Sequence, residues 1–246
     1  MNTLPETPFD FYIVGGYVRD KLLRINNNDV DYLVVPNDHC ISQNVFDLLC
    51  KYLINNNYVI IQKKEEHLCI KTKNINTKQI NDFVLARKDI YYPSLSRRPQ
   101  VVQGTLYDDL IRRDFTINSL AINVKTNEIV DVCDGQIDLR NKILRTPIDP
   151  KITLLEDPLR ILRGFRFSVT HGFTLCDEFM EAIKNKDIWS KFYNVVSVDR
   201  IREEFNKMFS QNTPETLNIL CKIKEVNCEA YSYIFTKIVL KAFQIN

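Results

Sequence analysis

The hydrophobic pattern changes partway along the chain, and this change limits the fold more than any other feature of the sequence. Up to about residue 131, short apolar runs rich in β-branched residues are separated by turns, which predicts strands with a few helices between them. From about Leu154 onward, apolar residues recur at helical spacing. A strand ending in a two-glycine turn is predicted at residues 11–16, further strands at 29–35, 58–62, 68–72 and 80–86, and helices at 18–23, 44–54, 161–169, 178–185, 198–209 and 215–223.

These two patterns predict two domains in an α+β protein. Pro147 and Pro150 stand just before the helical part begins, and proline suits a connector because it interrupts both helices and strands. We therefore place a connector at residues 147–153. The expected domains are a mixed-sheet domain over residues 1–150 and an all-helical domain over residues 151–246.

Composition excludes few functions. Lys and Arg number 33 against 31 Asp and Glu, so the net charge of +2 neither requires nor rules out a polyanionic partner. The seven cysteines form no CxxC pair, which argues against a zinc knuckle and favours reduced, mostly buried thiols. The sequence shows no signal peptide and no membrane-length apolar run, so we expect an intracellular, cytoplasmic protein with no evident organellar targeting and no membrane partner.

The most informative local pattern is a two-glycine turn followed by a pair of aspartates. Gly15 and Gly16 end the first predicted strand, and Asp29 and Asp31 begin the second. Residues two apart in a strand point to one face, so both carboxylates are expected to converge and hold Mg²⁺. Backbone without Cβ atoms lets phosphate oxygens approach closely. Alone, such an aspartate pair is more often a solvated loop; with the glycine turn it predicts a metal and triphosphate site.

A second charged cluster follows further along the chain. Arg112, Arg113 and Asp114 are consecutive. They form either a surface ion pair of little energetic value or a guanidinium fork that binds phosphate oxygens. A nearby triphosphate site favours the second interpretation.

A third cluster repeats charge at every third position. Asp157, Arg160, Arg163 and Arg166 would lie near one another along one side of a helix. Such a run is usually a solvated face, but adjacent Asp and Arg side chains also offer the acceptors and donors that a base edge requires. The spacing leaves both interpretations open.

Taken in order, several sequence blocks resemble one enzyme family. The blocks are YIVGGYVRDKLL, NDVDYLVV, DFVLARKDIY, RRDFTINSLAIN, DVCDGQIDLRNKILRT, LLEDPLRILRGFRFS and VSVDRIREEF, over roughly residues 11–210. They are similar to the head and neck of the class II tRNA nucleotidyltransferases (CCA-adding enzymes) and the related bacterial poly(A) polymerases. The resemblance implies a polymerase-β-like head with a mixed sheet, followed by a helical neck.

The resemblance also implies a role for each matching residue. Asp29 and Asp31 would be catalytic and bind Mg²⁺, and Asp82 is a candidate third carboxylate. Asp157 and Arg160 would hydrogen-bond the base of CTP or ATP, with Arg163 one helical turn later. The residues expected to form the nucleotide pocket in the head are Gly15, Gly16, Arg19, Arg113, Asp114 and Asn118.

The implied reaction is template-independent addition of CMP and AMP to the 3′ end of tRNA, from CTP and ATP, with release of pyrophosphate. The alternatives are a poly(A) polymerase, an enzyme that adds only CC or only A, and a non-catalytic RNA-binding subunit of the same fold. Family members usually continue into helical body and tail domains beyond the neck. Two interpretations stay open: the chain is a fragment that lacks a C-terminal body and tail segment, or it is a short form that holds RNA in a different way, for which a homodimer is one candidate.

Overall fold

The computed structural model describes residues 7–37, 44–91 and 99–239. The chain separates into two compact units. The first comprises Met1–Ile90 and Gln100–Gln136, and the second comprises Tyr91–Pro99 and Ile137–Asn246. The functional boundary expected at residue 150 stays a prediction.

The first unit is built on a mixed sheet. Its strands are β1 (Phe9–Val14), β2 (Asp31–Pro36), β3 (Tyr58–Lys64), β4 (Cys69–Asn74), β5 (Ile80–Leu85), β6 (Arg87–Ile90), β7 (Gln100–Gln103), β8 (Leu120–Asn123) and β9 (Ile129–Asp131). Seven of these form one sheet in the order β3-β4-β5-β2-β1-β8-β9, while β6 and β7 pair separately. In the seven-stranded sheet the β2–β5 pair is parallel and the other pairs are antiparallel.

Helices cover parts of both faces of this sheet. They are α1 (Gly16–Leu22), α2 (Val45–Asn55) and α3 (Leu106–Ile111), with short 3₁₀ turns at Glu65–His67 and Thr116–Asn118. The side chain of Asn44 caps α2, whose apolar side packs on Phe9, Ile70 and Phe83. A second cluster brings Leu110 of α3 against the sheet. The apolar spacing of both helices thus fixes which strand residues face the core.

The second unit is mainly helical. Its elements are α4 (Gly135–Asn141), which begins at the end of the first unit, β10 (Ile143–Leu144), α5 (Pro150–Glu156), α6 (Arg160–His171), β11 (Thr174–Leu175), α7 (Asp177–Ala182), α8 (Lys186–Val195), α9 (Val198–Gln211), α10 (Thr213–Val226) and α11 (Cys228–Val239). Trp189 lies in its core, fully buried, and its indole nitrogen donates to the Ile183 carbonyl at 2.6 Å. The expected α+β class, with a mixed sheet followed by helices, is confirmed.

Two expectations drawn from the sequence are wrong. Residues 147–153 are not simply a connector, because α5 begins at Pro150, with Asp149 as its N-cap. Proline is tolerated at the first helical position, where its missing N–H would have no partner in any case. Among the described cysteines only Cys50 is buried, so the thiols are mostly not buried; Cys40 lies outside the described residues.

No helix within the described ranges combines the length and the apolar character needed to cross a bilayer.

Candidate active site

Three aspartates lie near the place where β2 and β5 run side by side. Asp31 is the first residue of β2, and Asp82 is its direct partner in the parallel register. Asp29 precedes the strand, so the expectation that the pair lies within one strand is wrong. The Asp29 backbone N–H instead donates to Oδ1 of Asn27 at 2.9 Å. A side-chain turn therefore sets the position of Asp29, whereas the sheet sets the position of Asp31.

The carboxylates concentrate negative charge in a place that ligands can reach. Partial loss of hydration, and next the charges of Asp29 and Asp82, raise the pKa of Asp31 to about 6, against the opposing effect of Arg113 and Lys71. Asp31 nevertheless remains open to solvent. Oδ1 of Asp82 is buried and has no hydrogen-bond partner within the described part of the chain. Oxygen ligands with uncompensated charge fit a hard divalent cation.

The described residues alone do not complete a metal shell. Across residues 7–37, 44–91 and 99–239, no three His, Cys, Asp or Glu side chains come together in an arrangement that would hold a metal ion. A cation at Asp29 and Asp31 would thus take further ligands from water or from nucleotide phosphates, as Mg²⁺ commonly does.

The two-glycine turn leaves open space beside these carboxylates. Gly15 has φ of +74°, a region that side chains with a Cβ rarely adopt. A Cβ at Gly15 would lie 3.3 Å from Nη1 of Arg113 and 4.0 Å from Oδ2 of Asp31. One at Gly16 would lie 3.5 Å from Nη2 of Arg19. The glycines therefore keep the space between the carboxylates and the guanidiniums free of side chains.

A chain of hydrogen bonds joins the other residues predicted for the nucleotide pocket. Nη1 of Arg19 donates to Oδ1 of Asn118 at 2.7 Å, and the Asn118 amide donates to Oδ1 of Asp114 at 2.9 Å. Asp20 accepts from Nε of Arg19 at 2.8 Å and from the Asn27 amide at 2.7 Å. The network connects the turn that holds Asp29 to the 3₁₀ turn before β8.

Arg113 is fixed by a buried carboxylate. Its Nη2 donates to Oδ1 of Asp109 at 2.9 Å, while Arg112 binds Oδ2 of the same aspartate at 2.7 Å. Burial opposes ionisation of Asp109, but the guanidiniums of Arg113 and Arg112 outweigh it and hold the pKa of Asp109 below its ordinary value. Arg112 also contacts Asp89 at 3.4 Å, so it serves the ion-pair network.

The third predicted cluster lies in the second unit. Asp157 is not in a helix: it follows α5 in an extended conformation, and its Oδ1 accepts from the Leu159 N–H at 3.2 Å. Arg160 begins α6, is buried, and donates to the Thr153 carbonyl at 3.1 Å. Arg163 follows on the same helix and is partly exposed. The expectation that all these residues share one helix is therefore wrong for Asp157.

Arg166 does not extend a basic stripe. Its Nε donates to the buried carboxylate of Glu204 on α9, and its guanidinium lies over the Phe167 ring. This arginine is consequently bound within the second unit.

The structure thus collects the predicted residues into two groups, one in each unit. The first unit brings together Gly15, Gly16, Arg19, Asp29, Asp31, Asp82, Arg113, Asp114 and Asn118. The second unit holds Asp157, Arg160 and Arg163. Sequence reasoning missed Asn27 and Asp109. The spacing of four between Asp109 and Arg113 could have indicated their ion pair, since such residues are neighbours on a helix.

Comparison with known proteins bears on the family and the fold. Residues 11–145 match the model of the poly A polymerase head domain. The chain is 36% identical over 209 residues to tRNA nucleotidyltransferase cca2 of Schizosaccharomyces pombe, covering 80% of this chain and 42% of that protein.

Solved structures give the same fold. The Bacillus stearothermophilus CCA-adding enzyme in complex with CTP matches with a TM-score of 0.68 at 26% identity, over 88% of this chain and 48% of that one. A tRNA nucleotidyltransferase complexed with a primer tRNA and an incoming ATP analogue matches with a TM-score of 0.67 at 26% identity, over 97% of this chain and 61% of that one. This chain spans about half the length of the curated relatives it matches.

The ordered sequence blocks, the polymerase-β-like head with its mixed sheet and these similarities all lead to one assignment. The chain belongs to the poly A polymerase head domain family, and the proteins it resembles include CCA-adding enzymes.

Proposed function

We propose that this chain is a template-independent RNA nucleotidyltransferase that adds CMP and AMP to the 3′ end of tRNA, using CTP and ATP. The observation that carries the proposal is the placement of Asp31 beside Asp82 on one side and beside Gly15 and Arg113 on the other. Carboxylates, a turn without side chains and a guanidinium border one space there. The names of the curated relatives point to the same activity.

The cofactor we propose is Mg²⁺, held by Asp29 and Asp31. Use of a divalent metal is general in this family. The uncompensated charge at Asp31 and the unpartnered Oδ1 of Asp82 suit such a cation. When bound, Mg²⁺ would favour ionisation of the RNA 3′-hydroxyl and offset charge on the phosphate oxygens.

The residues of the chain position the two substrates. In the reaction the 3′-hydroxyl oxygen bonds to the α-phosphorus, the bond between that phosphorus and the β-phosphate bridging oxygen breaks, and pyrophosphate leaves while the hydroxyl proton passes to solvent. Arg113, held by Asp109, presents its guanidinium to the phosphates. Gly15 and Gly16 let the triphosphate approach the backbone. Arg19 stabilises this turn through its hydrogen bond to Asn118. Asp114 and Asn118, which are hydrogen-bonded to each other, would contact the ribose of the nucleotide.

Base choice is assigned to the second unit. Asp157 and Arg160 would hydrogen-bond the base edge in place of a nucleic-acid template, with Arg163 beside them. We propose that residues 1–150 act as the catalytic head and residues 151–246 as the neck. The cytoplasmic location stays a prediction.

The decisive experiment sizes the products made on three RNAs. The chain is incubated with tRNA transcripts that end before CCA, after the first C or after both, and each receives labelled CTP or ATP. We expect CMP on the first two and AMP only on the third, with Asp31→Asn as the inactive control. Long adenylate tails would show a poly(A) polymerase, addition of one nucleotide type would show a partial enzyme, and RNA binding without extension would show a non-catalytic module.

A further inference from the structure

A second group of cationic side chains lies on the side of the carboxylates away from Arg113. Arg113 and the glycine turn flank Asp31 on the side of β1 and β8. On the opposite side the sheet continues through β5, β4 and β3. There Lys71 is the register partner of Asp82, and Gln62 is the partner of Lys71.

These side chains form one surface. The residues that line a small pocket of about 50 Å³ on this side are Gln62, Lys64, Cys69, Lys71 and Asp82. A register shift between Ile60 and Gln62 places Gln62 and Lys64 on the Asp82 face, because a one-residue bulge reverses which residues face each side. Without that bulge, alternation would direct Lys64 to the opposite face.

Lys63, the residue before Lys64, serves as a comparison because it lies on the other face of the sheet. Lys63 pairs in register with Ile70, which belongs to the core beneath α2. It lies close enough to Cys50 to affect that thiol, whose pKa is raised by burial and lowered in part by Lys63. Lys63 and Lys64 are therefore adjacent in sequence but lie on opposite faces of the sheet.

The two lysines beside Asp82 are available to an anion. Lys64 is exposed and Lys71 is partly exposed, and across the described ranges neither forms an ion pair or a side-chain hydrogen bond with another residue. The one carboxylate in their pocket, Asp82, keeps its buried Oδ1 without a partner. Lys71 acts on the Asp31 carboxylate at a distance, but neither lysine is held in a salt bridge that an anion would have to break.

The geometry of phosphoryl transfer indicates which anion belongs here. The attacking and leaving oxygens stand roughly in line across the phosphorus. If the triphosphate lies against Gly15, Gly16 and Arg113, the attacking hydroxyl must arrive from the other side of the carboxylates. That side is the surface of β5, β4 and β3. Lysines on that side would face an incoming RNA strand, whose backbone carries one negative charge per nucleotide.

We propose that Lys71 and Lys64, with Gln62, bind the backbone phosphates at the 3′ end of the acceptor RNA strand and so hold its hydroxyl on the β5 side of the carboxylates. The inference rests on the proposed function and assigns it an RNA-binding surface within the first unit. Lys71, next to Asp82, takes the phosphate nearest the reacting hydroxyl. Lys64, one strand further out, takes the preceding one.

Steady-state kinetics with separate variation of RNA and CTP test this surface. For Lys71→Ala and Lys64→Ala we expect KM for a tRNA minihelix ending in C to rise about five- to tenfold, with KM for CTP unchanged. Lys71→Arg should restore most of the loss because it keeps the charge. Lys63→Ala is the matched control and should leave both constants unchanged. A rise in KM for CTP, or an equal effect of Lys63→Ala, would overturn the assignment.

Direct binding separates this inference from the proposed function. Fluorescence anisotropy of the same minihelix over a series of salt concentrations requires no turnover. The slope of log Kobs against log salt is negative, and each lysine removed should make it less steep by about 0.7, the value for one single-strand phosphate contact. If this loss appears but no nucleotide is added, the proposed function fails and the surface stands. If addition proceeds while the slope and the RNA affinity are unchanged in Lys71→Ala and Lys64→Ala, the surface is wrong and the proposed function stands.

Discussion

Nη1 of Arg19 donates a 2.7 Å hydrogen bond to Oδ1 of Asn118 and thereby joins α1 to the 3₁₀ turn before β8. Both residues are buried. Through Asp20 the same arginine is linked to Asn27, whose side chain holds the backbone of Asp29. The phosphate side of the candidate site and one of its carboxylates are thus parts of a single polar network, and a change at one end is expected to reach the other.

Asn118→Ala tests this network as a structural unit. The substitution removes an acceptor from Arg19 and a donor from Asp114, both buried, so the free energy of unfolding should fall by about 1 to 3 kcal/mol. Urea unfolding measures the loss. Asn218→Ala, which removes an exposed amide on α10, should change the unfolding free energy by less than about 0.5 kcal/mol. Equal effects of the two variants would contradict the network.

Gly15→Ala separates backbone strain from obstruction of the site. Gly15 and Gly172 have nearly the same positive φ, +74° and +69°, but a Cβ at Gly172 would meet nothing within 4 Å. Gly172, with ψ of 30°, lies in the left-handed helical region, so its alanine should destabilise the fold by about 1 to 2 kcal/mol. Gly15 has ψ of −139°, a conformation that is nearly restricted to glycine, so its alanine should destabilise the fold more. Only Gly15→Ala places a methyl group against Arg113, so it alone should reduce nucleotide addition. Thermal unfolding and single-nucleotide addition by both variants check this, and comparable loss of activity in Gly172→Ala would refute the steric explanation.

Asp31→Asn should abolish nucleotide addition without destabilising the protein. Asn keeps the shape of the side chain but removes a charge that Asp29 and Asp82 oppose. The thermal midpoint of the metal-free variant should equal or exceed that of the unmodified chain, while turnover falls below detection. Asp10→Asn, on the exposed surface of β1, is the control that should keep full activity. A lower midpoint in Asp31→Asn would mean that the carboxylate stabilises the fold instead of holding a cation.

The ion pair beneath Arg113 gives a prediction about pH. The pKa of Asp109 is held below its ordinary value in the folded chain, so its stabilising contribution is present above the unfolded pKa of about 3.9 and is lost as pH falls through the folded value. Asp109→Asn should therefore cost about 3 kcal/mol at neutral pH, because two guanidiniums lose a buried partner. Urea unfolding from pH 3 to 7 should show a constant difference above about pH 5 that shrinks below about pH 4. A difference independent of pH would contradict the ion-pair explanation.

Local sequence predicted most elements of the site but not how they are joined. The strand, glycine turn and helix over residues 11–23 follow from nearest-neighbour preferences, and the structure has all three. The hydrophobic pattern predicts a strand from Asp29, but β2 begins at Asp31 because the Asp29 N–H donates to the Asn27 side chain. Such a hydrogen bond between side chain and backbone leaves no trace in the hydrophobic pattern. The Asp31–Asp82 pairing depends on a parallel contact between distant strands, which a single sequence does not specify.

The burial of Arg160 does not follow from the sequence pattern, although the family resemblance picks out this residue. A charged residue on a helix is usually exposed, but this guanidinium is buried and its Nη1 donates to the Thr153 carbonyl on α5. Two contacts orient the Arg160 guanidinium. Its Nη1 donates to the Thr153 carbonyl and also lies 3.4 Å from the Glu156 carboxylate. Its orientation is therefore set before any nucleotide binds, as base discrimination requires.

Arg160→Ala should change base choice more than rate. A bidentate contact to a base edge discriminates by about 1 to 3 kcal/mol, so preference for CTP and ATP over UTP and GTP should fall roughly five- to hundredfold. Arg160→Lys should lose selectivity as well, because a single ammonium cannot reproduce the planar fork. Incorporation of each of the four nucleotides is measured alongside Arg200→Ala, an exposed arginine on α9 whose removal should leave the preference intact. Since burial of Arg160 also supports the junction between α5 and α6, urea unfolding of each variant accompanies the assay. Destabilisation with unchanged nucleotide preference would assign Arg160 to the fold alone and remove it from base recognition.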